Sequence, residues 1–78
     1  MNVCEATYIY LKHNHKLLNL SHIEKVTGFN GTIRKAISRN QKTPPKGLEQ
    51  VYKFLKDHLG INTEKEVIEN QIRYSGYM

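Results

Sequence analysis

The sequence predicts an all-α fold, a compact bundle of four to five helices that contains a helix-turn-helix. Three observations lead there. Apolar residues recur at spacings of three and four along most of the chain, the period of a helix with one buried face. Residues that start or stop helices punctuate these stretches, notably Ser21, Gly28, Thr43-Pro44-Pro45, Gly60 and Thr63. Two short helical patterns also flank Gly28, as the two helices of a helix-turn-helix flank their turn.

The first segment runs from Glu5 to about His13, with Ala6, Tyr8, Ile9, Tyr10 and Leu11 as its apolar and aromatic side chains. A polar connection, His13-Asn14-His15-Lys16, follows, and Leu17, Leu18 and Leu20 return the chain to the core. Ser21-His22-Ile23-Glu24 matches a capping box, in which serine and glutamate satisfy each other's free backbone donors. That start predicts a second helix with Ile23, Val26 and Thr27 inward, closed by Gly28 in the left-handed conformation. Phe29 is expected to plug the junction. A third helix begins at Asn30 or Gly31 and runs to about Asn40, with Ile33, Ala36 and Ile37 on its core side. The proline pair halts it, and Pro45 can serve as the first residue of a fourth helix ending at Leu59. Leu48, Val51, Tyr52, Leu55 and Leu59 form that helix's apolar stripe. Thr63-Glu64-Lys65-Glu66 reads as a second capping box, opening a fifth helix to about Arg73. Ile61, Ile68 and Ile72 are placed on one side of it, and Tyr74 to Met78 as a frayed end.

Charge singles out one part of this plan. From Lys25 to Leu48 the chain holds six basic residues and no acid, whereas the other 54 positions hold six basic and seven acidic ones. The formal net charge of +5 therefore arises wholly within that window. A positive field concentrated on one element suits a polyanion, because each cation that meets a phosphate releases condensed counterions. Seventy-eight residues make one domain with a modest core, too small for a deep substrate cavity. The lone cysteine, Cys4, makes no internal disulfide, and its plain role is that of a small hydrophobe. No run reaches the ~20 apolar residues that span a bilayer, and no charged-then-apolar leader is present. A cytoplasmic protein without a membrane partner is the expectation.

The order of helix, Gly28-Phe29 turn, helix through Arg39, proline-marked loop and amphipathic helix ending Leu59-Gly60-Ile61 resembles a known family. It looks like the compact helical domain of the Cro and phage-repressor (XRE-type) helix-turn-helix proteins, over roughly Leu20 to Ile61. In that resemblance Ile23 and Val26 occupy core positions of the first motif helix, Gly28 the turn glycine, and Ile33 and Ile37 the inward side of the second. The chain departs from the family in two respects. The stretch from Gly28 to Ile33 is one residue short, and Glu24 stands where a small residue is usual. The resemblance implies double-stranded DNA as partner, with the third helix entering the major groove. It also implies a small transcriptional regulator of phage or bacterial type.

On that reading Arg34 and Lys35 are the first candidates for base contact, since an arginine bonds the O6 and N7 of guanine together. Thr32 and Asn30 could meet a thymine methyl, an adenine or a phosphate, with Ser38 beside them. Arg39, Lys42 and Lys46, at or beyond the helix end, suit phosphates, and Lys25 could reach the backbone from the preceding helix. Useful specificity generally needs two half-sites, so the fifth helix and its tail are candidates for pairing in a homodimer, with packing on the domain's own core as the equal alternative. Arg34→Glu with Lys35→Glu should then abolish DNA binding. The competing class is a protein-interaction module on the same scaffold, such as a phage-encoded inhibitor of a host protein, which would tolerate that reversal. No enzyme, cofactor or small-molecule substrate is expected, since no phosphate-cradling glycine loop or catalytic order of residues is present. His13, His15 and Cys4 lack the number and spacing of a zinc site, so no metal is expected either. His22 and His58 are placed on helix surfaces. Five tyrosines could suggest stacking on single-stranded bases, but Tyr10 and Tyr52 fit the core better; Tyr8, Tyr74 and Tyr77 stay open.

Overall fold

The computed structural model describes residues 2–69, and every regular element among them is a helix. The elements are α1 (Val3–Asn14), α2 (Leu20–Thr27), α3 (Thr32–Ser38), α4 (Leu48–Leu59) and α5 (Thr63–Glu69). Against one side of α1 lies α4, which also supports α2, and α5 packs against α1 as well. In turn α2 carries α3. The main core gathers Tyr8 and Leu11, Leu20 and Ile23, Ile33 and Ala36, and Leu48, Val51 and Leu55, so each of the first four helices contributes. A smaller cluster of Ala6, Ile9 and Val67 joins α1 to α5, where the buried hydroxyls of Thr7 and Thr63 also hydrogen-bond at 2.8 Å.

Three helix starts differ from the sequence expectation for one shared reason. Asparagine, a strong N-cap residue, stands ahead of the serine or threonine at two of them. Asn19 Oδ1 accepts the His22 N–H at 3.1 Å, so α2 begins at Leu20 and Ser21 falls inside its first turn. Asn62 Oδ1 likewise accepts the Lys65 N–H at 3.1 Å. The Thr63 hydroxyl pairs with Thr7 instead of capping, and the Glu24 carboxylate is engaged by α3, so the Ser21–Glu24 box does not form. Asn2 caps α1 in the same way, which starts that helix at Val3, ahead of Glu5. Pro45 is buried in the link before α4, which begins at Leu48 after Gly47. The expected end of α5 at Arg73, Ile72 and the segment from Tyr74 to Met78 lie outside the described residues.

Four apolar side chains expected inside are exposed: Leu17, Val26, Leu59 and Ile68. Starting α2 at Leu20 makes Leu20, Ile23 and Glu24 its buried face, and Val26 then falls roughly 110° from the centre of that face. Ile68 turns out because Thr63 and Val67 are the buried residues of α5. Leu59 is the last residue of α4, where Gly60 turns the chain away, and Leu17 projects from the α1–α2 link. Tyr10 and Tyr52 are only half-buried, whereas Tyr8 is a core residue.

Tyr8 also determines how α3 ends. Asn40 adopts φ +51°, and the N–H groups of Asn40 and Gln41 bond Ile37 O and Ala36 O at 3.0 and 2.9 Å. This is the Schellman arrangement, with asparagine in the left-handed position. From α1 the Tyr8 hydroxyl donates to Gln41 O at 2.6 Å and leans on Ala36 O at 3.2 Å. Tyr8→Phe should lower stability by about 1–1.5 kcal/mol, the worth of a partly buried hydrogen bond, read as a lower urea midpoint at unchanged slope. Burial raises the Tyr8 pKa. A raised folded-state value makes its contribution complete below the unfolded tyrosine pKa of about 10 and lost as pH climbs through the folded one. Part of the alkaline fall in stability should therefore vanish in Tyr8→Phe.

Candidate nucleic-acid interface

The turn between α2 and α3 consists of Gly28, Phe29, Asn30 and Gly31, three of which have positive φ: +83° at Gly28, +44° at Asn30 and +91° at Gly31. Two glycines and an asparagine are the residues that accept this conformation at low cost. Gly28 gives its N–H to Glu24 O and closes α2, and the half-buried Phe29 packs against the core beside Gly47. The junction is plugged as the sequence implies, and α3 emerges with Ile33 and Ala36 buried and Ile37 half-buried.

All nine residues singled out in the sequence are exposed: Lys25, Asn30, Thr32, Arg34, Lys35, Ser38, Arg39, Lys42 and Lys46. Four of them, Arg34, Lys35, Ser38 and Arg39, line a shallow open concavity together with Gly31. Lys25 lies in the last turn of α2, Asn30 in the turn and Thr32 at the first position of α3. Lys42 and Lys46 sit in the α3–α4 link and do not line the concavity.

One residue of this region was misassigned from sequence. Glu24, expected to cap its own helix, is buried between α2 and α3, with its side chain 2% exposed. Its two carboxylate oxygens divide the work. Oε2 accepts the buried Ile33 N–H at 3.0 Å, and Oε1 accepts Arg34 Nε–H at 2.5 Å. Gly31 offers no side-chain cap to α3, so Glu24 supplies one from the neighbouring helix. The Glu24 carboxylate thus has a specific task here, joining α2 to the start of α3. A legible signal was Asn19: once it caps α2, Glu24 falls four residues after Leu20, on the buried face.

The remaining titratable clusters offer no chemistry of that kind. Among the described residues no group of three His, Cys, Asp or Glu side chains converges as metal ligands would. Cys4 is half-buried against the core, and burial together with the Glu49 carboxylate pushes its thiol pKa up, away from nucleophilic character. His22 and His58 are exposed, His22 edge-on to the Phe54 ring and His58 tilted against it.

Fold and site together define a small, basic, all-α protein whose cations concentrate on one short helix and its flanks. Compared with protein-family models, curated proteins and solved structures, the chain matches none. Among the described residues, no helix is long and apolar enough to cross a membrane.

Proposed function

We propose that this protein binds double-stranded DNA sequence-specifically through α3, as a small transcriptional regulator of phage or bacterial type. One observation carries the reading. The outward side of α3 presents Arg34, Lys35, Ser38 and Arg39 along one open concavity, opposite its buried Ile33 and Ala36. This face lies in the window that holds the whole net charge. A helix of this kind fits a major groove, where cations and hydroxyls find both phosphates and base edges. Lys25, Lys42 and Lys46 extend the positive surface on either side in sequence, and suit phosphate contact.

Neutralising four to six phosphates predicts that log K falls with log salt at a slope of about −4 to −5. Fluorescence anisotropy with labelled duplex across a range of salt concentrations measures it, and a slope near zero rules out this mode of binding. Selection of bound duplexes from a random pool, at one stated salt concentration, then tests whether a sequence is preferred. Pairing of two copies through the C-terminal segment belongs to the same proposal, and a molar mass measured in solution decides it.

A further inference from the structure

We infer that Glu24 is a positioning residue that fixes Arg34 as a guanine-reading fork, and this rests on the DNA-binding reading above. The argument begins with the division of labour on the carboxylate. The Ile33 N–H, in the first turn of α3, holds Oε2 in place, so Oε1 stands at a fixed point for Arg34 Nε–H. An unrestrained surface arginine samples many rotamers and forfeits that freedom on binding. Here the restraint exists before any ligand arrives.

With Nε–H committed to Glu24, the two terminal nitrogens carry the remaining four N–H donors of the planar group. They belong to a side chain that is 55% exposed and lines the concavity at the start of α3. Paired N–H donors at that spacing match the O6 and N7 acceptors that guanine displays in the major groove. Its neighbour Lys35 has no such contact among the described residues and is an exposed point charge, suited to phosphate.

Charge separates the two roles further. Glu24 and Arg34 neutralise each other, so Arg34 adds little to the counterion-releasing surface. Its contribution should therefore appear in base preference, and that of Lys35 in salt dependence. A purely structural carboxylate would leave base preference untouched.

The test uses the duplex that the unaltered protein selects from a random pool, together with versions in which each G·C pair is exchanged for A·T. Unaltered protein should lose roughly 5- to 150-fold in affinity at one such pair. In Glu24→Gln that discrimination should shrink severalfold, while the salt slope steepens by up to about one as Arg34 becomes an unbalanced cation. Arg34→Lys, on an exposed side chain, covers the case in which Glu24→Gln does not fold. It should lose the same discrimination at an unchanged salt slope, because lysine cannot hold the carboxylate and still present a fork. Lys35→Gln should instead keep the discrimination and flatten the slope by about one.

Full discrimination in a folded Glu24→Gln, or in Arg34→Lys, overturns the inference and leaves DNA binding standing. Unaltered protein that binds no duplex overturns the DNA reading and the inference together.

Discussion

Glu24→Ala is expected to lower stability by about 2–3 kcal/mol, the cost of leaving the buried Ile33 N–H without an acceptor and removing a charged hydrogen bond. Its former partner Arg34 is largely exposed, so water solvates the freed guanidinium and the penalty stays below that of a fully buried pair. A domain of this length is generally stable by only about 4–12 kcal/mol, so the loss is a large share. In melting temperature it corresponds to a fall of roughly 10–20 °C, which a calorimetric or circular-dichroism scan resolves. Glu24→Gln keeps one carbonyl oxygen for the Ile33 N–H and should cost less than half as much. If Glu24→Ala melts within a degree or two of the unaltered protein, the carboxylate does not cap α3 in solution.

The second large effect concerns binding. Reversing Arg34 itself would place a second carboxylate against Glu24 and disturb the fold along with the surface. Lys35→Glu with Arg39→Glu is the cleaner reversal, since both side chains are exposed and lie along the concavity. Duplex affinity should fall by at least about 100-fold near physiological salt, through lost counterion release and new repulsion. Stability should change by no more than about 0.5 kcal/mol per site. A protein-interaction module on the same scaffold would keep its activity through this change. Unaltered duplex affinity in a folded double variant would remove α3 from the interface.

Much of the fold was legible because periodicity and breakers act locally. Gly28 closes α2 and Gly60 closes α4 as their sequence positions indicate, and the inward set Leu48, Val51 and Leu55 follows from the spacing alone. Helix starts were harder, because two overlapping caps compete over the same few residues. Asn19 against Ser21 and Asn62 against Thr63 are contests settled by tertiary contacts: Leu20 is drawn into the core, and Thr63 finds Thr7. The nine cationic and polar candidates are exposed as expected, since single-sign charge in a small domain stays at the surface. What escaped was the internal carboxylate. A glutamate that fits a local cap motif gives no hint, read alone, that its partners lie nine and ten residues further on.

Seven residues are too few to stay helical unaided, and α3 is held at its first turn by Glu24 and beyond its last by Tyr8. Between those anchors, Thr32, Lys35, Ser38 and Arg39 make no side-chain hydrogen bond or ion pair within residues 2–69. Evolution can therefore rewrite those four letters without renegotiating the architecture. On the DNA-binding proposal, the base preference of α3 can drift at little cost to the fold, whereas the length of the helix and both its moorings are fixed by packing.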